Sequence, residues 1–240
     1  MPDVRSRIGG DSTTLPRHRA VQFVLNSQLF DHISTFSQLE ARIARLPTTT
    51  DRGDFFEVFA EAYLATQTSI QAKEIWPSEA IPLDVRESLS LPLKDMGVDG
   101  VFQTHLGDFN AYQVKFRSAR SPLTWDELST FMGLADRAKQ RVLLTNSDTL
   151  PTLMNDRRAF FCIRGSDLDR LESRDFQAIS EWLKNGVSTK TPKMPRPHQN
   201  EALAAIQSAL NCADRVAAVM ACGSGKTLVA PRQSRSGHNF

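Results

Sequence analysis

The chain is predicted to fold as an α/β protein with a mixed central sheet flanked by helices. Three observations carry this prediction. Gly97, Gly100 and Leu106-Gly107-Asp108 bracket two apolar runs, Val98–Phe102 and Phe109–Phe116, and turn residues around alternating apolar runs are the signature of a β-hairpin. After the hairpin, Trp125–Gln140 reads as a helix and Arg141–Thr145 as the next strand. A strand–helix–strand order implies parallel pairing through a crossover. Before the hairpin, Asp51–Thr66 is the strongest helix, with Phe55, Phe59, Ala62 and Tyr63 in a stripe at helical spacing. An antiparallel hairpin joined to a parallel strand gives a mixed sheet, and the helices on either side cover it.

The remaining elements follow in order. The first twenty residues, rich in Arg, Ser, Thr and Gly, are expected to be disordered. Val21–Phe30 and Ser37–Arg45 read as helices, the second capped by Ser37. Thr48–Thr50 breaks the chain before the strong helix. Lys73–Trp76 is a short strand, and Val85–Leu89 is a short helix or a loop. Asp95 and His105 are expected as turn residues. Phe160–Ile163 is a further strand, with Cys162 in the core. Asp175–Lys184 closes the unit, with Phe176, Ile179, Trp182 and Leu183 packed inward. Val187–Pro197 carries Pro192, Pro195 and Pro197 among Lys and Thr and reads as a linker. Beyond it Glu201–Leu210 is a helix and Arg215–Met220 a strand.

Composition sets limits. In 240 residues there is room for one large or two small domains. An apolar fraction of 40% with 23% charged residues is ordinary for a globular protein, and a net charge of +2 gives no global basic signal. Locally, Lys115, Arg117, Arg120, Arg137, Lys139 and Arg141 stand against Asp126, Glu127 and Asp136, either as a phosphate-facing patch or as a solvated rim. The three cysteines, Cys162, Cys212 and Cys222, lack CxxC spacing, which fits a reducing cytoplasm without disulfides or zinc. No apolar run is long enough for a membrane span, so no membrane partner is expected.

Four side chains point to chemistry. Gln113 and Lys115 lie two apart in a strand and share a face. Asp99 reaches that face if the two runs pair as a hairpin. Glu57 precedes them on the strong helix. A hard divalent cation takes oxygen ligands. Asp99, the Gln113 amide, the Val114 carbonyl and Glu57 would supply them, and Lys115 would orient the attacking water and offset phosphoryl charge. The uncharged amide makes the helical glutamate more necessary. The same residues also allow an ordinary hairpin with a surface lysine, and Glu57 as a solvated position. Glu61, one turn after Glu57, is expected to be solvated or to partner a nearby base.

Gly53-Asp54-Phe55-Phe56-Glu57, then Gly97-Val98-Asp99-Gly100, then Gln113-Val114-Lys115 resembles the Mrr-like PD-(D/E)xK restriction endonuclease domain, in the form fused to the front of restriction-type superfamily 2 helicases. The stretches Ser121–Phe131 and Arg141–Asn146 also resemble that subgroup. Gln at 113 departs from the commoner Glu. The resemblance implies a restriction-endonuclease-like sheet and the catalytic residues Glu57, Asp99, Gln113 and Lys115. It implies Mg²⁺ or Mn²⁺ held by Glu57, Asp99, Gln113 and Val114, and double-stranded DNA as partner; from the local basic cluster, Arg117 and Arg120 are the residues expected to meet that DNA. It also implies the remainder of a helicase, and a methyltransferase or specificity region, in a parent protein. The expected domains are an N-terminal extension over 1–34, partly disordered, a nuclease domain over 35–186, a linker over 187–197 and the start of a helicase ATPase domain over 198–240.

Met220-Ala221-Cys222-Gly223-Ser224-Gly225-Lys226-Thr227 reads as a P-loop. Gly223, Ser224 and Gly225 turn backbone N–H groups onto phosphate, Lys226 reaches the β- and γ-phosphates and Thr227 holds Mg²⁺. Arg196-Pro197-His198-Gln199 resembles the adenine-reading segment of restriction helicases, with Gln199 on the base. The chain reaches Phe240 before any strand ending in a Walker-B acid. It is therefore expected to be the front of a longer helicase in which ATP is the cofactor of the full-length parent, and ATP hydrolysis by this chain alone is not expected. Two readings remain for the first domain. One is a metal-dependent DNA endonuclease. The other is a non-catalytic DNA-binding or docking module, which the Gln113 amide keeps open.

Overall fold

The computed structural model describes residues 15–70, 72–94, 97–155, 157–186 and 197–210. The chain divides into two compact units, residues 1–190 and 191–240. In the first, three helices, α1 (Val21–Asn26), α2 (Phe36–Ala44) and α3 (Thr49–Thr66), precede strand β1 (Ala72–Pro77) and helix α4 (Leu83–Leu89). The hairpin is β2 (Gly100–Thr104) and β3 (Phe109–Lys115). Helix α5 (Trp125–Leu134), strands β4 (Arg141–Thr145) and β5 (Phe160–Ile163), and helices α6 (Gly165–Leu168) and α7 (Ser173–Asn185) complete it.

The five strands lie in the order β1-β2-β3-β4-β5. β1, β2 and β3 pair antiparallel, whereas β3, β4 and β5 pair parallel. The expected mixed sheet is present. Its two faces follow the strand period of two. Ile75, Phe102, Tyr112, Val114, Val142 and Leu144 pack with α1, α2, α3 and α7 in one core, and Val101, Ala111 and Leu143 pack with α4 and α5 in the other.

Local chemistry explains the boundaries. Thr35, not Ser37, caps α2, its side chain accepting from the Gln38 N–H at 3.4 Å. Thr48 caps α3, accepting from Asp51 at 3.0 Å. Thr124 and Glu127 form a capping box at the start of α5, and Glu172 with Asp175 does the same for α7. The crossover helix stops at Leu134 rather than Gln140.

Two expectations are corrected. α3 is not amphipathic along its length: from Val58 to Thr66 every residue is buried. A helix apolar all round belongs in the middle of a protein, and its single stripe is lost. Glu61 is therefore not solvated but fully buried. Residues 15–20, assigned to a disordered segment, are described and packed, with His18 and Ala20 buried. The reason is a set of bonds from Arg17, His18 and Arg19 to distant acids, which composition does not reveal.

In the second unit α8 (Pro197–Leu210) is described. It begins four residues earlier than predicted, with proline at its first position, where the missing N–H costs nothing. The linker residues 187–196, the strand at 215–220 and the P-loop residues Gly223, Ser224, Gly225, Lys226 and Thr227 lie outside the described residues, as does the side chain of Gln199.

Candidate active site

The hairpin opens where β2 begins. Gly100 is paired with Tyr112, and the Asp99 N–H donates to the Tyr112 carbonyl at 3.0 Å, so Asp99 stands opposite Gln113. Opposite residues of an antiparallel pair share a face. There the strands part. The Asp99 carboxylate, not a β2 carbonyl, accepts the Val114 N–H at 2.6 Å. A backbone N–H on a carboxylate favours its charged form. Asp99, Gln113 and Val114 are thus brought together at the mouth of the hairpin.

Gln113 is 2% exposed. Its Nε2 donates to the Gly97 carbonyl at 2.9 Å, which fixes the orientation of the amide. The other end, Oε1, is buried and bonds to no described residue. An unsatisfied buried acceptor costs about 1–3 kcal/mol, so it calls for a reason. Gly97 has φ +98°, a conformation natural to glycine, and a Cβ there would come within 3.2 Å of the same Nε2.

Lys115 follows on the same face as Gln113, half-buried. Its side chain makes no hydrogen bond or ion pair with the described residues. Glu57 enters from α3, in the layer on the other face of the sheet. Its Oε2 lies 3.0 Å from His18 Nε2. Tyr112, on the sheet face that packs with α3, lies within electrostatic reach of both Glu57 and Asp99. Burial pushes the Tyr112 hydroxyl well above its ordinary pKa, and the charges of Glu61, Asp99, Glu57 and Glu79 push the same way. The tyrosine ring lies over Gly100, where a Cβ would meet it at 2.3 Å.

Sequence reasoning missed the partner of the acidic helix. The Arg17 N–H donates to Glu61 Oε1 at 2.8 Å and the His18 N–H to Glu61 Oε2 at 3.2 Å. Arg19 reaches Asp54 at 2.9 Å. Burial raises the Glu61 pKa to about 7 against the pull of those two N–H groups. Burial lowers the His18 pKa, but the bond and charge of Glu57, with Glu79 and Glu61, together raise it. The one signal in the sequence was acids at 54, 57 and 61, on one helical face.

Arg117 and Arg120, expected in a phosphate-facing patch or on a solvated rim, are both paired with acids. Arg117 pairs with Glu127. Arg120 bonds Glu40 through Nε and Nη2 at 2.8–3.1 Å, and Asp169 through Nη1 and Nη2 at 2.7 and 2.8 Å. Its guanidinium ties α2 to the loop after α6, and a phosphate contact by Arg120 would require those pairs to break. Asn146 acts on the same loop. Its Oδ1 accepts from the Arg117 N–H at 2.6 Å, and its Nδ2 donates to the Arg117 carbonyl and to Glu40 Oε1, both at 2.7 Å. Thiol chemistry has no support here, because burial pushes Cys162 up to about 12.

Comparison with known proteins adds two findings. Residues 192–236 match the family described as Type III restriction enzyme, res subunit. That match supports a restriction-type helicase region over the C-terminal segment. The chain is also similar to a solved structure, the ATP-dependent Type ISP restriction-modification enzyme LlaBIII bound to DNA. The TM-score is 0.53 at 21% identity, over 85% of this chain and 13% of that one. At that identity the likeness is one of fold, and this chain spans about 13% of the length of that protein. No curated protein matches. Among the described residues no helix is long and apolar enough to cross a membrane.

Proposed function

We propose that the first unit is a metal-dependent DNA endonuclease of Mrr-like PD-(D/E)xK type, working beside a restriction-helicase region. The observation that carries this reading is the buried, unbonded Oε1 of Gln113 next to the Asp99 carboxylate. A neutral oxygen and an anionic oxygen at the parting of two strands fit a hard divalent cation such as Mg²⁺ or Mn²⁺. Glu57 would add the second negative charge, and the Val114 carbonyl a further oxygen.

A cation held there supplies charge neutralisation at the phosphate and a more acidic water. The chain does the rest. Asp99 is held by the Val114 N–H, so its carboxylate does not have to be oriented during the reaction. Gln113 is fixed by Gly97. Lys115, with no protein partner among the described residues, is available to hold the attacking water and to stabilise charge growing on the phosphoryl oxygens. The relative that is described as bound to DNA supports DNA as the substrate class. We assign Glu57, Asp99, Gln113 and Lys115 these roles, and leave Gln199 and the P-loop Lys226 and Thr227 to ATP binding in a longer parent.

The test is cleavage of supercoiled plasmid with Mg²⁺ or Mn²⁺. Wild type should nick or linearise the plasmid, and Lys115→Ala should lower the rate by on the order of 10²-fold or more. Its melting temperature should not change, because the lysine side chain supports no described contact. Undiminished cleavage by Lys115→Ala removes Lys115 from the mechanism. A wild type that binds plasmid without cutting favours the docking-module reading.

A further inference from the structure

We propose that His18 is a positioning residue for Glu57, holding the α3 carboxylate ready for the cation. The inference rests on the nuclease reading above and adds the segment before α1 to the site. Its starting point is the ladder between that segment and α3. Arg17 and His18 give their backbone N–H groups to Glu61, the His18 ring meets Glu57, and Arg19 meets Asp54. Residues 54, 57 and 61 are three and four apart and lie on one helical face. The segment therefore runs against the direction of α3 along its acidic face.

The imidazole is buried, at 5% exposure. The Ala20 N–H donates to its Nδ1 at 3.2 Å. A ring nitrogen that accepts an N–H carries a lone pair, so the hydrogen of the neutral ring sits on Nε2. That hydrogen points at Glu57 Oε2, 3.0 Å away. Glu57 Oε1 is bonded to no described residue and stays available to a cation.

The tautomer also decides against a rival use of these groups. Ligand atoms of His18, Asp54 and Glu57 lie within 4.8 Å of one another, close enough to suggest a metal cage. A metal-bound imidazole gives its lone pair to the ion and donates its other N–H to an acceptor. Here the other nitrogen is itself the acceptor, and Asp54 already holds Arg19. The ring is a donor that fixes a carboxylate. The site needs such a donor because Gln113 brings no charge, so Glu57 must. A glutamate side chain that is 29% exposed would otherwise have to be ordered each time the cation binds.

The experiment measures Mn²⁺ binding by titration calorimetry, and plasmid cleavage against Mn²⁺ concentration, for wild type, His18→Gln, His18→Leu and His18→Ala, with melting curves for each. His18→Gln keeps an N–H donor, and His18→Leu fills the ring's volume without one. We expect His18→Ala and His18→Leu to raise the Mn²⁺ concentration for half-maximal cleavage about 10-fold, with a smaller effect on the rate at saturating metal. His18→Gln should recover most of that loss. The inference is overturned if His18→Leu folds and keeps the wild-type metal dependence, or if His18→Gln loses as much as His18→Leu. Should His18→Ala fail to fold, the Gln and Leu pair still decides. A wild type that neither cuts DNA nor binds Mn²⁺ overturns the nuclease reading and this inference with it; a metal-dependent wild type with an indifferent His18→Leu overturns only this inference.

Discussion

Glu61 is an acid in a place that water does not reach, and its titration should be visible in stability. Burial raises its pKa from an ordinary 4.5 to about 7. Between those values the unfolded chain releases the proton and the folded chain keeps it. Stability therefore falls as pH rises through this window and levels off above pH 7. The loss attributable to Glu61 is on the order of 2–3 kcal/mol. Urea unfolding of wild type and Glu61→Gln from pH 4.5 to 8 checks this. The wild type should lose ground against the variant across the window, and a wild type that gains ground would contradict the burial argument. Glu61 also marks what a sequence conceals. On a helix, a glutamate four residues from another reads as solvated, and only a partner 44 residues away shows otherwise. Arg120 is the same case in reverse. It read as a free base on a rim, but its partner Glu40 lies 80 residues earlier.

At the scale of elements, the hairpin was the legible part. Turn glycines around β2 and β3, and the two-residue spacing of Gln113 and Lys115, placed three of the four candidate side chains on one sheet face before any coordinates. β4 followed as a parallel strand because a helix separated it from β3. The helix α3 was found, but its environment was not, since a fully buried helix has no stripe to read. The α2 cap was displaced by two positions, Thr35 taking the role expected of Ser37. The loop after β3 depends on Asn146, which no periodicity signals. One carboxamide holds both backbone groups of Arg117, two residues beyond Lys115. Asn146→Ala should cost roughly 2–4 kcal/mol, because it leaves several buried groups unpaired. It should also lower cleavage as Lys115 loses its anchored neighbour. A melting temperature within a degree or two of wild type would show that the loop holds without this amide.

For the whole molecule, the account separates two kinds of phosphate chemistry. The first unit carries the candidate cutting site on its mixed sheet, and residues 192–236 carry the match to the res-subunit family. The P-loop reading rests on its glycines and Lys226 alone, because that motif is local, and it falls outside the described residues. The candidate cutting site draws on α3, the hairpin and the segment before α1, which are joined by folding and not by sequence, so the sequence alone could not assemble it. The feature that the proposal turns on is an amide, Gln113, at the proposed metal seat between β2 and β3. Titration calorimetry of the full chain with Mn²⁺ tests that seat most directly. Gln113→Glu adds one negative charge at the oxygen that now has no partner, and should bind Mn²⁺ more tightly than wild type, whereas Asp99→Asn should bind it more weakly. A Gln113→Glu protein that binds Mn²⁺ no more tightly, together with an Asp99→Asn protein that binds it as well as wild type, would show that no metal sits between β2 and β3.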